Sequence, residues 1–139
     1  MAGSVMTFSY DPGPGPVKRV IVDWTSDDAT GAVSGTTKVK LSGYLLRGVT
    51  DPSATAPTTL YDIVLSDAES ANLLVNCHDD LVDRSATVTE SVDFFLTGVA
   101  NVGARPSICS LLTVAVSAAG NAKIGQLILY LDGTLSGSF

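Results

Sequence analysis

Residues 108–131 read ICSLLTVAVS, AAGNA, KIGQLILYL: two apolar runs, at 108–117 and 123–131, flank the short connection Ala118 to Ala122. Both runs are rich in β-branched or aromatic residues. Gly120 and Asn121 tolerate the positive φ that tight loops require, so the stretch predicts an antiparallel hairpin. Leu111 and Leu112 fall on opposite faces of the first run, which predicts a central strand covered on both sides.

Working outward, a period of two dominates, and no helical-period amphipathic stretch of about ten residues or more is found. From Val17 to Thr25, Val20, Val22 and Trp24 share one face while Arg19 and Asp23 share the other, so Trp24 is a core candidate. Asp27, Asp28, Gly31 and Gly35 mark a polar loop. Thr37, Val39 and Leu41 then alternate with Lys38, Lys40 and Ser42 as a strand with one wet face. Gly43 predicts a bulge, or a bend where the strand changes sheets, before Tyr44, Leu45 and Leu46 continue. Thr50 to Thr59, with Pro52 and Pro57, reads as an exposed connection without a ladder.

Tyr61, Ile63 and Leu65 share a strand face in Leu60 to Ser66, with Asp67 to Ser70 as its turn and Leu73 to Val75 as a return strand. Asn76 to Ser85 is a polar loop with room for a helical turn. Thr87 to Leu96 aligns Val88, Val92, Phe94 and Leu96, and Gly98, Gly103 and Pro106 close that unit. About seven or eight regularly spaced strands predict an all-β fold, an antiparallel β-sandwich or jelly roll, over residues 17–139.

Residues 1–16 differ from this. Asp11-Pro12-Gly13-Pro14-Gly15-Pro16 is an extended, partly stiff connector. Ahead of it, Met6, Phe8 and Tyr10 are apolar at period two, which makes this N-terminal arm the candidate protein–protein interface. It either pairs with a neighbouring subunit or serves as the first strand of its own domain.

Only 16% of the 139 residues are charged, against roughly 25% in a typical soluble domain. Such a surface suits interfaces, because desolvating Lys, Glu and Asp is costly. Acids outnumber bases 14 to 8 and the bases are scattered, which argues against nucleic-acid binding. Met1 to Tyr10 lacks a basic segment followed by an apolar one, and no apolar run approaches the roughly 20 residues that cross a bilayer, so neither secretion nor a membrane is expected. Cys77 and Cys109, with no metal-type spacing, are expected to stay reduced in a cytoplasm.

No catalytic motif emerges. His78 is the sole histidine. In an extended segment the side chain of adjacent Cys77 points away from it, which argues against a Cys–His pair. His78, Asp79, Asp80 and Asp83 can supply metal ligands but lack the spacing and turn glycine of a calcium loop, so they read as a solvated acidic loop. The two glutamates, Glu69 and Glu90, fall on a turn and a wet strand face. No glycine arrangement cradles a phosphate. No metal, no cofactor and no enzymatic activity are expected.

Trp24-Thr25-Ser26-Asp27, Ser34-Gly35-Thr36-Thr37, Gly48-Val49-Thr50-Asp51-Pro52, Ala56-Pro57-Thr58 and Tyr61-Asp62-Ile63 follow in an order that resembles small β-rich virion proteins of tailed bacteriophages. Ser66-Asp67-Ala68, Asp83-Arg84-Ser85, Ala118-Ala119-Gly120 and Leu129-Tyr130 extend the likeness over about residues 17–131. The Pro-Gly connector and Cys77-His78 depart from that pattern. The resemblance implies a non-enzymatic structural protein of the virion, assembled in the host cytoplasm. The leading expectation is a capsid cement or decoration protein that binds the major capsid protein and itself, as a dimer or trimer. A head–tail junction, collar or tail component is one alternative. Another is a carbohydrate- or receptor-binding module using Tyr10, Tyr44 or Trp24.

Overall fold

The computed structural model describes residues 4–27, 29–52, 57, 60–68, 72–74, 77, 81, 84–85, 88–95 and 105–136. Among them the regular secondary structure is all strand: β1 (Val5–Asp11), β2 (Val17–Thr25), β3 (Val33–Thr36), β4 (Lys40–Pro52), β5 (Asp62–Ser66), β6 (Glu90–Asp93), β7 (Ser107–Ser110), β8 (Thr113–Ser117) and β9 (Ile124–Ser136). All pairings are antiparallel. A six-stranded sheet runs β1-β2-β9-β4-β6, with β7 also paired to β4, and a three-stranded sheet runs β3-β8-β5.

Alternation explains the core. Val20, Val22 and Trp24 of β2, with Leu127, Leu129 and Leu131 of β9, turn the same way from paired strands and are buried. Ile63 and Leu65 of β5 and Val114 and Val116 of β8 do the same in the smaller sheet. All belong to one hydrophobic cluster, in which the rings of Trp24 and Tyr61 lie 5.6 Å apart. Each such side chain contributes about 1.5–3 kcal/mol by leaving water. Gly125 faces Trp24 across the β2–β9 pair, and a Cβ there would lie 2.3 Å from Trp24 Cζ2, so the indole occupies the space a side chain would need.

The chain passes repeatedly between the sheets, and buried hydroxyls pin the corners. Thr37, between β3 and β4, donates from Oγ1 to the Val39 carbonyl (2.8 Å) and accepts from the Leu112 N–H (3.0 Å). Its own N–H donates to the Leu112 carbonyl at 2.8 Å, so the β3–β4 and β7–β8 corners hold each other. Ser26, after β2, donates from Oγ to the Gly120 carbonyl (2.6 Å) and accepts from the Lys123 N–H (2.8 Å), which joins the β2–β3 and β8–β9 corners. These bonds satisfy backbone groups that leave a ladder at each crossing.

Several expectations are corrected, the first being the strand count, which is nine among the described residues rather than seven or eight. Residues 108–117 are two strands: the chain leaves the large sheet after Ser110 and enters the small one at Thr113. Leu111 is 45% exposed at that corner and Leu112 is buried, so the doublet marks a crossing and not a strand covered on both faces. The predicted hairpin is absent, since β8 pairs with β3 and β5 while β9 pairs with β2 and β4. Positive φ in the intervening connection falls on Ala118, Gly120 and Ala122.

Likewise Val33–Thr36, expected as loop, is β3, and the alternation of Thr37, Val39 and Leu41 spans the corner into β4. Gly43 does not change sheets. Its strand continues in register with β9, and the bulge lies between Leu45 and Arg47. β4 carries its ladder through Pro52, so Thr50 is buried and not part of an exposed connection. Val88 is 58% exposed, outside the four residues of β6. Leu73 and Leu74 form a turn rather than a return strand, with the Leu73 N–H donating to the Leu65 carbonyl at 2.8 Å. Val75, His78, Asp79, Asp80, Asp83, Leu96, Gly98 and Gly103 lie outside the described residues.

Candidate protein-binding surface

Met6, Phe8 and Tyr10 project from the inward face of β1, opposite Trp24, Val22 and Val20 of β2. They are half-buried and pack against the core cluster. β1 ends the large sheet and β3 ends the small one, so the two edges flank an opening over the core. Met6, Phe8 and Tyr10 line one wall of a groove of about 650 Å³, and Gly35, Thr36 and Lys38 line the other.

Two contacts hold this groove in shape. A Cβ at Gly35 would lie 3.0 Å from Met6 Sδ and 3.2 Å from Phe8 Cε2, so glycine lets β3 approach β1. Tyr10 Oη accepts a hydrogen bond from the Lys38 N–H at 3.1 Å, which ties the end of β1 to the β3–β4 corner. The connector after Asp11 folds back, with Gly13 at φ 53° and the Gly133 N–H donating to the Pro16 carbonyl. Arg19 donates from Nε (3.0 Å) and Nη2 (2.7 Å) to Asp11 Oδ2. That bond holds the exposed Asp11 carboxyl below its usual pKa; screening by water keeps its contribution to stability small.

β1 is the longest edge strand among the described residues and carries no charge before Asp11. Among the described residues no strand pairs with its far side, and no inward charge, proline or bulge blunts it within Val5–Asp11. An edge of this kind, beside a groove of mixed apolar and hydroxyl lining, can accept an extended segment: main-chain hydrogen bonds supply affinity and the groove reads alternate side chains.

Other sequence candidates fall elsewhere. Cys77 is half-buried against the core and Cys109 is exposed; neither is in a disulfide. Glu90 Oε1 accepts from the Ser85 N–H at 2.6 Å and lies 3.7 Å from Arg84 Nη1, which gives it a structural role. Burial pushes the Tyr61 phenol up, so it stays protonated at neutral pH. No group of three or more metal-ligating side chains gathers among the described residues. No helix among them is long and apolar enough to cross a membrane. Of the aromatics weighed for sugar stacking, Trp24 is buried, Tyr10 is half-buried and Tyr44 is 53% exposed.

The sequence pattern singled out Met6, Phe8 and Tyr10 by their spacing. It missed Gly35, Thr36 and Lys38, because their partnership with β1 is set by the crossing between sheets. The glycine within Val33–Thr36 was the available signal. No protein-family model matches the chain, and no curated protein or solved structure matches it either.

Proposed function

We propose that this chain is a non-enzymatic structural protein of a tailed-phage virion, a capsid cement or decoration protein built as a two-layer, jelly-roll-like sandwich. The observation that carries the reading is the edge β1, uncharged before Asp11, beside the groove that Met6, Phe8 and Tyr10 wall, a surface suited to binding another chain. Low overall charge and the resemblance to small virion proteins support it. On this reading β1 and the groove receive an extended segment of the major capsid protein, and copies of the chain associate with one another. Binding to the assembled shell and not to free subunits stabilises the shell by mass action.

The test is co-sedimentation of the purified chain with isolated heads and, separately, with tails. Saturable binding to heads that Phe8→Asp abolishes, with the fold intact by circular dichroism, is the expected result. Binding to tails alone overturns the head assignment in favour of the junction or tail, and binding to neither overturns the virion reading.

A further inference from the structure

Among the described residues, three buried side-chain polar atoms have no hydrogen-bond partner within the protein: Trp24 Nε1, Thr50 Oγ1 and Tyr61 Oη. The residues that carry them are at most 1% exposed. A buried donor or acceptor left unpaired is costly, so in folded proteins such groups nearly always bond to another protein group or to a bound water. Thr37 and Ser26 follow that rule by bonding their buried hydroxyls to backbone groups.

The three exceptions belong to one neighbourhood. The Trp24 and Tyr61 rings are tilted by 52°, with 5.6 Å between their centres. The indole lies over Gly125, where a Cβ would be 2.7 Å from Cε2, the ring carbon bonded to Nε1. It thereby reaches over β9, the strand between β2 and β4. On β4, Thr50 stands two residues from Pro52, the partner of Gly125, and turns inward to the same core. Such diagonal neighbours are roughly 7–8 Å apart at Cα, within reach of a long side chain. Burial pushes the Tyr61 phenol up and the nearby Thr50 hydroxyl pulls it back, although the two hydroxyls are not in hydrogen-bonding geometry.

We infer that one water molecule binds in the seam between the sheets, bonded to Trp24 Nε1, Thr50 Oγ1 and Tyr61 Oη. A water at hydrogen-bond distance from two atoms bridges them across about 5.6 Å, so the three need not touch one another. The indole N–H can only donate, so the water accepts from it; each hydroxyl can donate or accept, and the water's remaining donors and acceptor serve both. Three bonds are the usual complement of a buried water. Tyr61 directly precedes β5 of the small sheet, whereas Trp24 and Thr50 lie in the large one. The water is therefore a polar tie between the two layers, inside an otherwise apolar core.

The test is a crystal structure of the full chain, paired with the indole N–H resonance of Trp24, which is unambiguous because the chain has a single tryptophan. One ordered water within about 3.2 Å of all three atoms is expected. In the double variant Thr50→Val, Tyr61→Phe, which keeps both shapes, the water should be lost and the indole proton should move upfield as its acceptor goes. Thr50→Val alone is the alternative if the double variant fails to fold by circular dichroism, and it should shift the same resonance in the same direction. A dry site with Tyr61 Oη bonded directly to Thr50 Oγ1, a water that misses any of the three atoms, or an indole resonance unmoved in a folded variant would each overturn the inference.

Discussion

Replacing Thr37 by valine removes one hydroxyl while keeping the shape of the side chain, at a point where two sheet crossings meet. The site is 2% exposed, so water does not replace what is lost. Two bonds go: the one donated to the Val39 carbonyl and the one accepted from the Leu112 N–H. A buried polar group left unpaired costs about 1–3 kcal/mol. Two such groups, less the desolvation no longer required of the hydroxyl, give a loss of about 2–4 kcal/mol. That is a large share of the roughly 5–15 kcal/mol that holds a domain together. At about 3 °C per kcal/mol for a chain of this size, the midpoint falls by about 6–12 °C. Thermal unfolding followed by circular dichroism measures it, with Thr36→Val as control. The Thr36 hydroxyl bonds Thr113 Oγ1 at 2.8 Å but in solvent, so the control should lose under about 0.5 kcal/mol. A Thr37→Val loss no larger than the control's would falsify the view that Thr37 pins both corners.

Three more outcomes are expected. Gly125→Ala drives a Cβ into the Trp24 indole and should cost about 3 kcal/mol or more, with a shift in emission from this sole tryptophan; an unchanged spectrum and midpoint would refute the close packing. Phe94→Ala, in the closed core, should cost about 3–5 kcal/mol, whereas half-buried Phe8→Ala should cost about half as much and yet weaken head binding; equal losses would contradict the open groove. Asp27 Oδ2 accepts from the Ala29 and Thr30 N–H groups, both at 3.0 Å, and these bonds lower its pKa from 3.8. A depressed folded-state pKa contributes stability above the unfolded value and loses it as pH falls through the folded one. Asp27→Ala should therefore be less stable than wild type at neutral pH, with the gap closing in acid; a gap independent of pH would show that the carboxylate is not the cause.

Period two in the sequence identified the strands whose two faces differ. β2 spans the residues read from the Val20, Val22 and Trp24 pattern, and Tyr61, Ile63 and Leu65 are buried as their spacing implies. Met6, Phe8 and Tyr10 share a face for the same reason. Alternation is a local property: each side chain's direction follows from its neighbours along one strand, so a sequence carries it without reference to the rest of the chain.

Which strand lies beside which is not local. Residues 108–117 and 123–131 looked like partners because they are adjacent and similar, yet Thr113–Ser117 lies in the small sheet and Ile124–Ser136 in the large one. The deciding contacts join Thr37 to Leu112 and Ser26 to Lys123, groups far apart in sequence whose hydrogen bonds exist only once both sheets have formed. The same holds for the groove. Spacing named one wall, while its other wall follows from the pairing of strands distant along the chain. Sequence alone determined which way side chains point; tertiary structure decided what they point at, because backbone pairing energy is nearly the same for any two strands and the choice falls to packing and to the corners.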